Sequence, residues 1–488
     1  MEGHIQQAPS VNSIVEAIAS HANNTPGQLA LRVGKEACTY SELWMQIRLA
    51  ASRFDALPER SVILLSAEKS IPFIVHYFAV HLSNQICILA DPKQTEQSII
   101  ERIREYNIRV CVSSKLTIEG VENYRYDIPS VQQSNPIYTF PTGESTADLM
   151  FTTGTTGASK CVPLSHSNLL ASATNINSFI RNDDTDHELI ALPLCHSFGL
   201  GRVRCALLAG GSCTVIPNFA NERKLLALLS GGEITGFSMV PAAWQYIRHL
   251  CAERFIAAAQ NLKFIEIGSA PLPVEDKQYL AQNLSNTRIC MHYGLTEASR
   301  SAFMEFHADI DKLTSCGKAS PGVKLAIYSA EGKLLGSNQP GEVCVQGKHV
   351  TLGYLNISRD ECFYDNFFRT GDMGYLDNAG TLYIQGRIKE QINVGGKKVS
   401  PDEVEHKIAQ LPGVKDCACI GSADPDGILG EVVKAYIVPH EGETIDIADI
   451  QKSLRDVLEP HKIPRIVELR NEALPRTDSG KLQRQKLQ

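Results

Sequence analysis

The sequence has no excess of positive charge, no long hydrophobic run and no secretory leader pattern. Its 47 Lys and Arg residues are outnumbered by 54 Asp and Glu residues, which gives a net charge of −7. Nucleic-acid-binding proteins usually carry a basic domain or stripe, and none is visible here. No run reaches the roughly 18 apolar residues of a membrane span, and the N-terminus lacks a basic segment followed by an apolar one. We therefore expect neither a nucleic-acid partner nor a membrane span.

The fourteen cysteines are scattered, and no spacing of Cys and His matches a zinc site. Most lie in apolar runs, as Cys87 and Cys111 do. This predicts buried thiols in a reducing compartment, and so a cytoplasmic protein. Apolar residues make up 43% of the chain and charged residues 21%, the composition of an ordinary globular protein.

Hydrophobic segments with the period of a helix alternate with short apolar strands over the first 270 or so residues. Helices are predicted at residues 13–21 and 71–82, and strands at residues 61–65, 86–89 and 264–267. The Thr39/Glu42 spacing predicts a capping box at the start of another helix, and Ser400 is predicted to be the N-cap of a helix that begins near residue 400. This alternation is typical of an α/β fold with parallel sheets. Beyond about residue 320, short strands separated by Gly and Asn predict a β-rich subdomain. The last hundred or so residues form a further segment that ends in a polar tail.

The segment that carries the strongest functional signal is Phe151-Thr-Thr-Gly-Thr-Thr-Gly-Ala-Ser-Lys160. Its glycines allow close approach of the backbone to a ligand. Its hydroxyls and backbone N–H groups suit an anion, and Lys160 adds positive charge. The spacing differs from a Walker A loop, in which Gly-Lys-Ser/Thr follows the first Gly after four residues. The segment predicts a phosphate-binding loop of another kind.

This loop and four later motifs resemble those of the adenylate-forming superfamily, which includes acyl-CoA synthetases, non-ribosomal adenylation domains and luciferases. The later motifs occur in the family's order and extend the resemblance over essentially the whole chain. They are Tyr293-Gly-Leu-Thr-Glu297, Thr370-Gly-Asp372, Gly386-Arg-Ile-Lys389 and Pro475-Arg-Thr-Asp-Ser-Gly-Lys481. The chain is identified on these motifs as a member of the superfamily, of the acyl-CoA synthetase type.

The resemblance implies an α/β fold with a large N-terminal domain and a small, mobile α+β C-terminal domain. The N-terminal domain, residues 1–386, would hold two α/β subdomains and a β-rich subdomain. The C-terminal domain, residues 387–488, would rotate about a hinge at Lys389, since hinge closure is a common form of domain motion.

The resemblance also implies a site for ATP. Tyr293 would lie against the adenine ring, the turn after the predicted strand 264–267 would flank its other face, and Asp372 would bind the ribose hydroxyls. Arg387 would reach the ribose or the phosphates. The implied cofactor-binding residues are Thr152, Thr153, Gly154, Thr155, Thr156, Gly157, Lys160, Ser269, Ala270, Pro271, Tyr293, Asp372, Arg387, Gly395 and Gly396.

Four residues are implied in catalysis. Glu297 would hold Mg²⁺, a hard ion that prefers oxygen ligands, and Thr296 would donate to a phosphate oxygen. Lys481 would neutralise the charge shared by the carboxylate and the α-phosphate, two anions that repel each other. His196 would border the acyl carboxylate. The implied substrate pocket comprises His196, Phe198, Val240, Trp244 and Gly294.

The predicted reaction is the ATP-dependent activation of a carboxylic acid to acyl-AMP, followed by thioester formation. The acceptor would be coenzyme A or the phosphopantetheine of an acyl carrier protein, whose arm would pass Gly395 and Gly396. No acidic residue occurs between His196 and Glu222, which favours a plain carboxylic acid over an α-amino acid. The sizes of the implied pocket residues favour a small or aromatic acid over a very long chain. The alternatives are a stand-alone enzyme that loads a carrier protein, a luciferase-like oxygenase, and a non-catalytic relative that binds a nucleotide.

Overall fold

The computed structural model describes residues 11–128, 138–152, 160–219, 221–395, 397–477 and 480–487. The chain forms two compact units, each assembled from several segments. The first comprises Met1–Leu313, Ala319–Lys324 and Gln346–Phe363, and the second comprises Thr314–Lys318, Leu325–Val345 and Tyr364–Gln488. The predicted domain boundary between residues 386 and 387 falls inside the second unit and stays a prediction.

Helices occur along the whole described chain. Their bounds are α1 Ile14–Asn24, α2 Tyr40–Ala51, α3 Ile71–Leu82, α4 Glu96–Glu105, α5 His166–Ile180, α6 Ser197–Ala209, α7 Glu222–Ser230, α8 Pro241–Ala259, α9 Val274–Asn283, α10 Arg359–Cys362, α11 Pro401–Ile408 and α12 Ile447–Arg455. In the part of the chain that the structure describes, no helix combines the length and the apolar character that crossing a membrane would require.

The strands fall into the groups that the sequence pattern predicts. Up to residue 165 they are β1 Leu29–Val33, β2 Glu36–Thr39, β3 Val62–Ser66, β4 Ile86–Ala90, β5 Val110–Val112, β6 Glu122–Tyr124, β7 Thr146–Thr152 and β8 Lys160–Ser165. Next come β9 His187–Ile190, β10 Ser212–Val215, β11 Gly236–Met239, β12 Phe264–Ile267, β13 Arg288–Tyr293, β14 Ala302–Glu305, β15 Lys318–Ala319, β16 Val323–Tyr328 and β17 Gly341–Gly347. The rest are β18 Phe363–Tyr364, β19 Phe367–Leu376, β20 Leu382–Arg387, β21 Ile392–Val394, β22 Lys397–Val399, β23 Val414–Ala423, β24 Glu431–Pro439 and β25 Ile466–Leu469.

Local sequence signals account for several of these boundaries. The Thr39 hydroxyl accepts from the backbone of Glu42, whose side chain accepts from the backbone of Thr39, so the predicted capping box is confirmed. Helix α3 has the bounds predicted from its apolar period, and Ser70 caps it. Strand β12 also matches its prediction.

The first unit contains two predominantly parallel sheets. The smaller has the strand order β6-β5-β3-β4-β7-β8, and only its edge strand β8 is antiparallel. The larger includes the order β14-β13-β12-β11-β9-β10-β1-β2, with β14 and β2 antiparallel to their neighbours. The predicted pair of α/β subdomains is confirmed. The parallel strands β9, β11, β12 and β13 are neighbours, so their carboxyl ends meet at one edge, where α/β proteins bind ligands.

The second unit carries the β-rich part and the C-terminal part of the chain. In its first sheet, β17, β19 and β20 are successive antiparallel neighbours. Strands β23, β24 and β25 form a separate sheet, against which α11 and α12 bury apolar side chains such as Val404 and Leu454. This α+β arrangement agrees with the predicted C-terminal fold.

Candidate active site

The predicted phosphate loop joins two paired strands. Thr152 at the end of β7 lies opposite Lys160 at the start of β8. The predicted ligand-binding residues between them, Thr153, Gly154, Thr155, Thr156 and Gly157, lie outside the described residues. The structure thus gives the position of both ends of the loop.

Strand β7 is held in place by a buried carboxylate. Asp148 is fully buried and accepts a hydrogen bond from the Tyr77 hydroxyl at 2.9 Å. It also lies 2.9 Å from His81 Nε2 and 3.2 Å from Arg204 Nη1. Burial by itself would raise the pKa of Asp148, but the His81 and Arg204 contacts hold it below its ordinary value. This network fixes the strand that ends at Thr152.

Tyr354 contacts both Lys160 and Glu297. The Lys160 ammonium lies 4.1 Å from the centroid of the Tyr354 ring, a cation–π contact. The Tyr354 hydroxyl donates to Glu297 Oε1 at 2.6 Å. Glu297 is buried, with 5% of its surface exposed. Tyr354 was missed in the sequence analysis, which placed Lys160 and Glu297 in one site without a residue to join them.

The segment from Tyr293, the last residue of β13, to Glu297 forms a tight turn. A Cβ atom on Gly294 would lie 2.3 Å from the Arg300 backbone nitrogen, so only glycine fits there without displacement. The Glu297 carbonyl accepts from the Thr351 backbone at 2.9 Å. Thr296 is half-buried in this turn. These contacts fix the Thr296–Glu297 pair at the carboxyl end of β13.

A second turn follows the neighbouring strand β12. A Cβ atom on Gly268 would lie within 2.0–2.6 Å of the His292 ring, so this turn packs directly against β13. Ser269 has a φ of +79°, which is uncommon for a residue other than glycine. The predicted adenine-side residues Ser269, Ala270 and Pro271 are exposed or half-buried. They therefore lie at the surface beside the turn that carries Tyr293.

His196 and Phe198 lie at the start of α6. His196 is exposed at the N-cap position, whereas Phe198 is 6% exposed and packs edge-on against the His292 ring with centroids 4.8 Å apart. Arg300 Nη1 and Nη2 donate to the carbonyls of Ser197 and Phe198 at 3.1 and 3.2 Å. Arg300 thereby joins the start of α6 to the turn after β13.

Arg300 belongs to a buried charge network beneath these turns. Its Nε lies 3.2 Å from Glu266 Oε1, and Arg202 Nη1 lies 3.3 Å from Glu266 Oε2. Arg202 also makes two 2.7 Å bonds to Glu188. Burial would raise the pKa of Glu266, but Arg300, His292 and Arg202 hold it well below its ordinary value. Two guanidinium groups thus balance two carboxylates, and the sequence analysis missed this network.

Asp91, Cys195 and His196 bring three potential metal ligands together. Their ligand atoms lie within 4.8 Å of one another, the one such group found among the described residues. The Lys69 ammonium interacts electrostatically with Cys195, and burial lowers the pKa of Lys69 to about 8. The positive charge of Lys69 disfavours a cation bound to Cys195.

The remaining predicted pocket residues differ in exposure. Val240 precedes α8 and retains 9% of its surface exposed. Trp244 is fully buried, and its ring packs against Phe255 and Tyr279 in the core. The predicted contact of Trp244 with substrate is therefore not supported by its packing, because a side chain without exposed surface lines no cavity.

In the second unit, Asp372 and Arg387 form a cross-strand ion pair. They lie opposite each other on β19 and β20, and Arg387 Nε is 2.7 Å from Asp372 Oδ1. Arg387 Nη1 also donates to the Thr370 carbonyl at 3.0 Å. Asp372 is buried, with 5% of its surface exposed. The structure thus brings together the two residues predicted to bind ribose and phosphate.

The predicted hinge residue lies in a short helix that a hairpin follows. Lys389 is exposed in the short 3-10 helix Ile388–Glu390. The hairpin of β21 and β22 follows, and Gly395 at its turn has a φ of +56°. Gly396 lies outside the described residues. Ser400 precedes α11 as predicted, but its hydroxyl donates to the Gln385 carbonyl and does not cap the helix.

Lys481 interacts electrostatically with the Asp372–Arg387 pair. Although the residue as a whole is exposed, loss of hydration around the ammonium lowers its pKa, and the nearby Arg387 guanidinium lowers it further. Glu390 and Asp372 act in the opposite direction. Each unit therefore holds its own cluster of predicted site residues: Lys160 and Glu297 in the first, and Asp372, Arg387 and Lys481 in the second.

The fold is that of an adenylate-forming acid–thiol ligase. The family AMP-binding enzyme matches residues 18–355, and AMP-binding enzyme C-terminal domain matches residues 403–481. The chain belongs to the AMP-binding enzyme family.

Two characterised relatives and one solved structure illustrate the similarity. Oxalate–CoA ligase of Arabidopsis thaliana is 29% identical over 95% of this chain and 95% of its own length. Sulfoacetate–CoA ligase of Cupriavidus necator is 31% identical over 80% of this chain and 76% of its own. The ATP-bound structure of MatB from Rhodopseudomonas palustris superposes with a TM-score of 0.87 at 26% identity, covering 97% of this chain and 98% of that one.

Proposed function

We propose that the protein activates a small carboxylic acid with ATP and transfers the acyl group to coenzyme A. In the first half-reaction the carboxylate attacks the α-phosphate, giving acyl-AMP and pyrophosphate. In the second, the thiol attacks the acyl carbonyl, giving the thioester and AMP. The observation that carries the proposal is the pair of clusters, Lys160–Tyr354–Glu297 and Asp372–Arg387–Lys481.

The charges of these clusters suit the first half-reaction. Two anions must approach each other, and positive groups offset their repulsion. Lys160 and Lys481 supply ammonium groups toward the phosphates and the attacking carboxylate. Asp372 accepts from the ribose hydroxyls, and Arg387 donates to ribose or phosphate oxygens. Because Asp372 and Arg387 already pair at 2.7 Å, each fixes the orientation of the other.

Glu297 has the chemistry of a magnesium ligand. Its carboxylate oxygens are hard donors of the type that Mg²⁺ prefers, alongside phosphate oxygens. The Tyr354 hydroxyl holds one oxygen at 2.6 Å, which orients the carboxylate in advance. A bound Mg²⁺ would supply positive charge to the triphosphate. The Thr296 hydroxyl would donate to a phosphate oxygen.

The residues of the predicted substrate pocket favour a carboxylic acid without an α-ammonium group. His196 would border the carboxylate, with Phe198, Val240 and Gly294 nearby. A substrate ammonium would need an acidic partner, yet the Glu266 charge beneath this region is balanced by Arg202 and Arg300. We therefore favour a plain acid. The described cysteines, all fourteen of them unbonded thiols, support a reducing compartment such as the cytoplasm.

The acceptor is tested by product analysis. The enzyme is incubated with ATP, Mg²⁺ and an accepted acid, together with either coenzyme A or an acyl carrier protein bearing phosphopantetheine. We expect acyl-CoA by mass spectrometry, and none with Lys481→Ala. If only the carrier protein became acylated, the acceptor would be the carrier protein and not coenzyme A.

The rotation of the C-terminal part about Lys389 is proposed to exchange Lys481 for the Gly395 hairpin between the two half-reactions.

A further inference from the structure

Arg484, three residues after Lys481, gathers three carboxylates from two other elements. Its Nη1 lies 2.7 Å from Glu390 Oε2, and its Nη2 lies 2.5 Å from Asp402 Oδ1. Nη2 also lies 2.7 Å from Glu405 Oε2, and Nε donates to Glu405 Oε1 at 3.3 Å. Such charge-assisted bonds are short and directional.

These carboxylates connect the end of the chain to the predicted hinge. Glu390 is the residue next to Lys389 in the same 3-10 helix, and Asp402 and Glu405 lie in α11. The side chains of Arg484 and Glu390 are each 17% exposed, and that of Glu405 is 15% exposed. Pairs that are this well shielded from water are screened less than surface pairs. Arg484 therefore fixes the Lys481 segment against the element that contains the hinge.

The cluster of Arg484 with Glu390, Asp402 and Glu405 carries less negative charge than three ionised carboxylates would give it. Three carboxylates face one guanidinium, and burial raises the pKa of Glu405 to about 7, so this group carries only part of a negative charge near neutral pH. Lys481 interacts electrostatically with both Glu390 and Arg484. Lys481 also lies only three residues before Arg484 in the chain.

The chain on the other side of Lys481 is fixed independently. Arg476 Nη2 pairs with Asp416 of β23 at 2.8 Å. The Lys481 backbone N–H donates to the Thr477 hydroxyl at 3.1 Å, and the Thr477 N–H donates to the Lys481 carbonyl at 2.8 Å. Leu482 and Leu487, which flank Arg484, pack against the β23–β24 sheet. Of these contacts, those of Arg484 are the ones that reach the hinge element.

We propose that Arg484 is a positioning residue for Lys481 in the adenylation half-reaction. It holds the Lys481 segment at a fixed distance from the hinge element, which fixes where the ammonium is presented. This inference rests on the proposed function. Because Lys481 serves only the first half-reaction in that proposal, loss of Arg484 slows adenylation selectively.

The test compares Arg484→Gln and Arg484→Lys with a matched control, Arg465→Gln. Arg465 also pairs with two carboxylates, Asp424 and Asp426, at 3.1 and 3.0 Å, and neither lies in the hinge element. We expect Arg484→Gln to lower the kcat of acid-dependent ATP–pyrophosphate exchange about 10- to 100-fold, since a misplacement of about 1 Å can cost about 100-fold. Thioester formation from supplied acyl-adenylate should stay within about twofold of wild type. Arg484→Lys should recover part of the exchange rate, and Arg465→Gln should match wild type.

A second readout does not depend on catalysis. Trypsin should cleave after Lys481 several-fold faster in Arg484→Gln than in wild type or Arg465→Gln, because the segment loses its contacts with the hinge element. Unchanged exchange and proteolysis, or an equal loss in both half-reactions, would overturn the inference. If the wild type exchanged with no acid, the proposed function would fail, and the proteolysis comparison alone would then decide whether Arg484 holds the segment.

Discussion

The Tyr354 hydroxyl donates a 2.6 Å hydrogen bond to the Glu297 carboxylate, while the face of the same ring lies 4.1 Å from the Lys160 ammonium. One tyrosine thus joins the base of the predicted phosphate loop to the predicted magnesium ligand. It orients the carboxylate and holds the lysine through two different properties, a polar edge and an electron-rich face.

Tyr354→Phe separates these two properties, because it keeps the ring and removes the hydroxyl. A hydrogen bond to a charged group contributes about 1.5–3 kcal/mol. We therefore expect the Mg²⁺ concentration for half-maximal pyrophosphate exchange to rise about tenfold or more. Tyr124→Phe is the matched control, since Tyr124 also donates to a glutamate, Glu122, and lies under an arginine, Arg53. Equal Mg²⁺ dependence in wild type and Tyr354→Phe would show that the Tyr354 hydroxyl does not orient Glu297 for Mg²⁺.

Gly294→Ala tests the tight turn that presents Thr296 and Glu297. The added Cβ would meet the Arg300 backbone nitrogen at 2.3 Å, so the backbone must shift. A shift of about 1 Å predicts a loss of about 100-fold in kcat for adenylation. Gly27→Ala is the control, because no atom lies within 4 Å of its added Cβ. Wild-type kinetics in Gly294→Ala would show that the turn tolerates displacement.

Asp148→Asn tests the network that fixes β7. Breaking a buried pair leaves an uncompensated charge and costs about 3–5 kcal/mol of unfolding free energy. The exposed pair of Arg53 and Asp127 is the control, and Asp127→Asn should cost at most about 1 kcal/mol. Denaturant titration measures both, and equal losses would contradict the account.

The Asp148 network also predicts a pH dependence. The folded pKa of Asp148 lies below its ordinary value of 3.8. Its contribution to stability is therefore present in full above the unfolded pKa and is lost as pH falls through the folded pKa. Wild type should lose stability in this acidic range more steeply than Asp148→Asn. If the free energy of unfolding changed equally with pH in the two proteins, the lowered pKa of Asp148 would be contradicted.

The lowered pKa of Lys481 predicts a pH dependence that is confined to the first half-reaction. Its ammonium must be protonated to offset negative charge, and its pKa lies below the ordinary 10.5. Pyrophosphate exchange should therefore decline as pH rises through a pKa below that value, whereas thioester formation from supplied acyl-adenylate should show no such decline. The same alkaline decline in both half-reactions would mean that another group causes it.

Much of the fold could be predicted because its signals are local. The apolar period predicted α3, a run of apolar residues predicted β12, and the Thr39–Glu42 spacing predicted the cap of α2. The C-terminal tail, expected to be simply polar, packs Leu474, Leu482 and Leu487 against the β23–β24 sheet. Three leucines spread over fourteen residues form no regular period, so the pattern did not reveal this contact.

In the candidate site too, residues in local motifs could be predicted and residues joined by long-range contacts could not. Lys160, Glu297, Asp372, Arg387 and Lys481 belong to short motifs, and resemblance identified them together. Tyr354 is 57 positions from Glu297, and Arg484 is 94 positions from Glu390. Contacts over such separations depend on tertiary packing, which no local spacing encodes. Trp244 shows the converse case, because an aromatic residue near a predicted pocket packs in the core instead.

The measurement that tests the account most directly is acid-dependent ATP–pyrophosphate exchange over a panel of carboxylic acids, with Lys481→Ala as the control. The account predicts exchange with at least one plain acid, no exchange with α-amino acids, and loss of exchange in Lys481→Ala. Exchange that persists at the wild-type rate in Lys481→Ala would contradict the role of this residue. ATP binding without exchange for any acid would contradict adenylation itself.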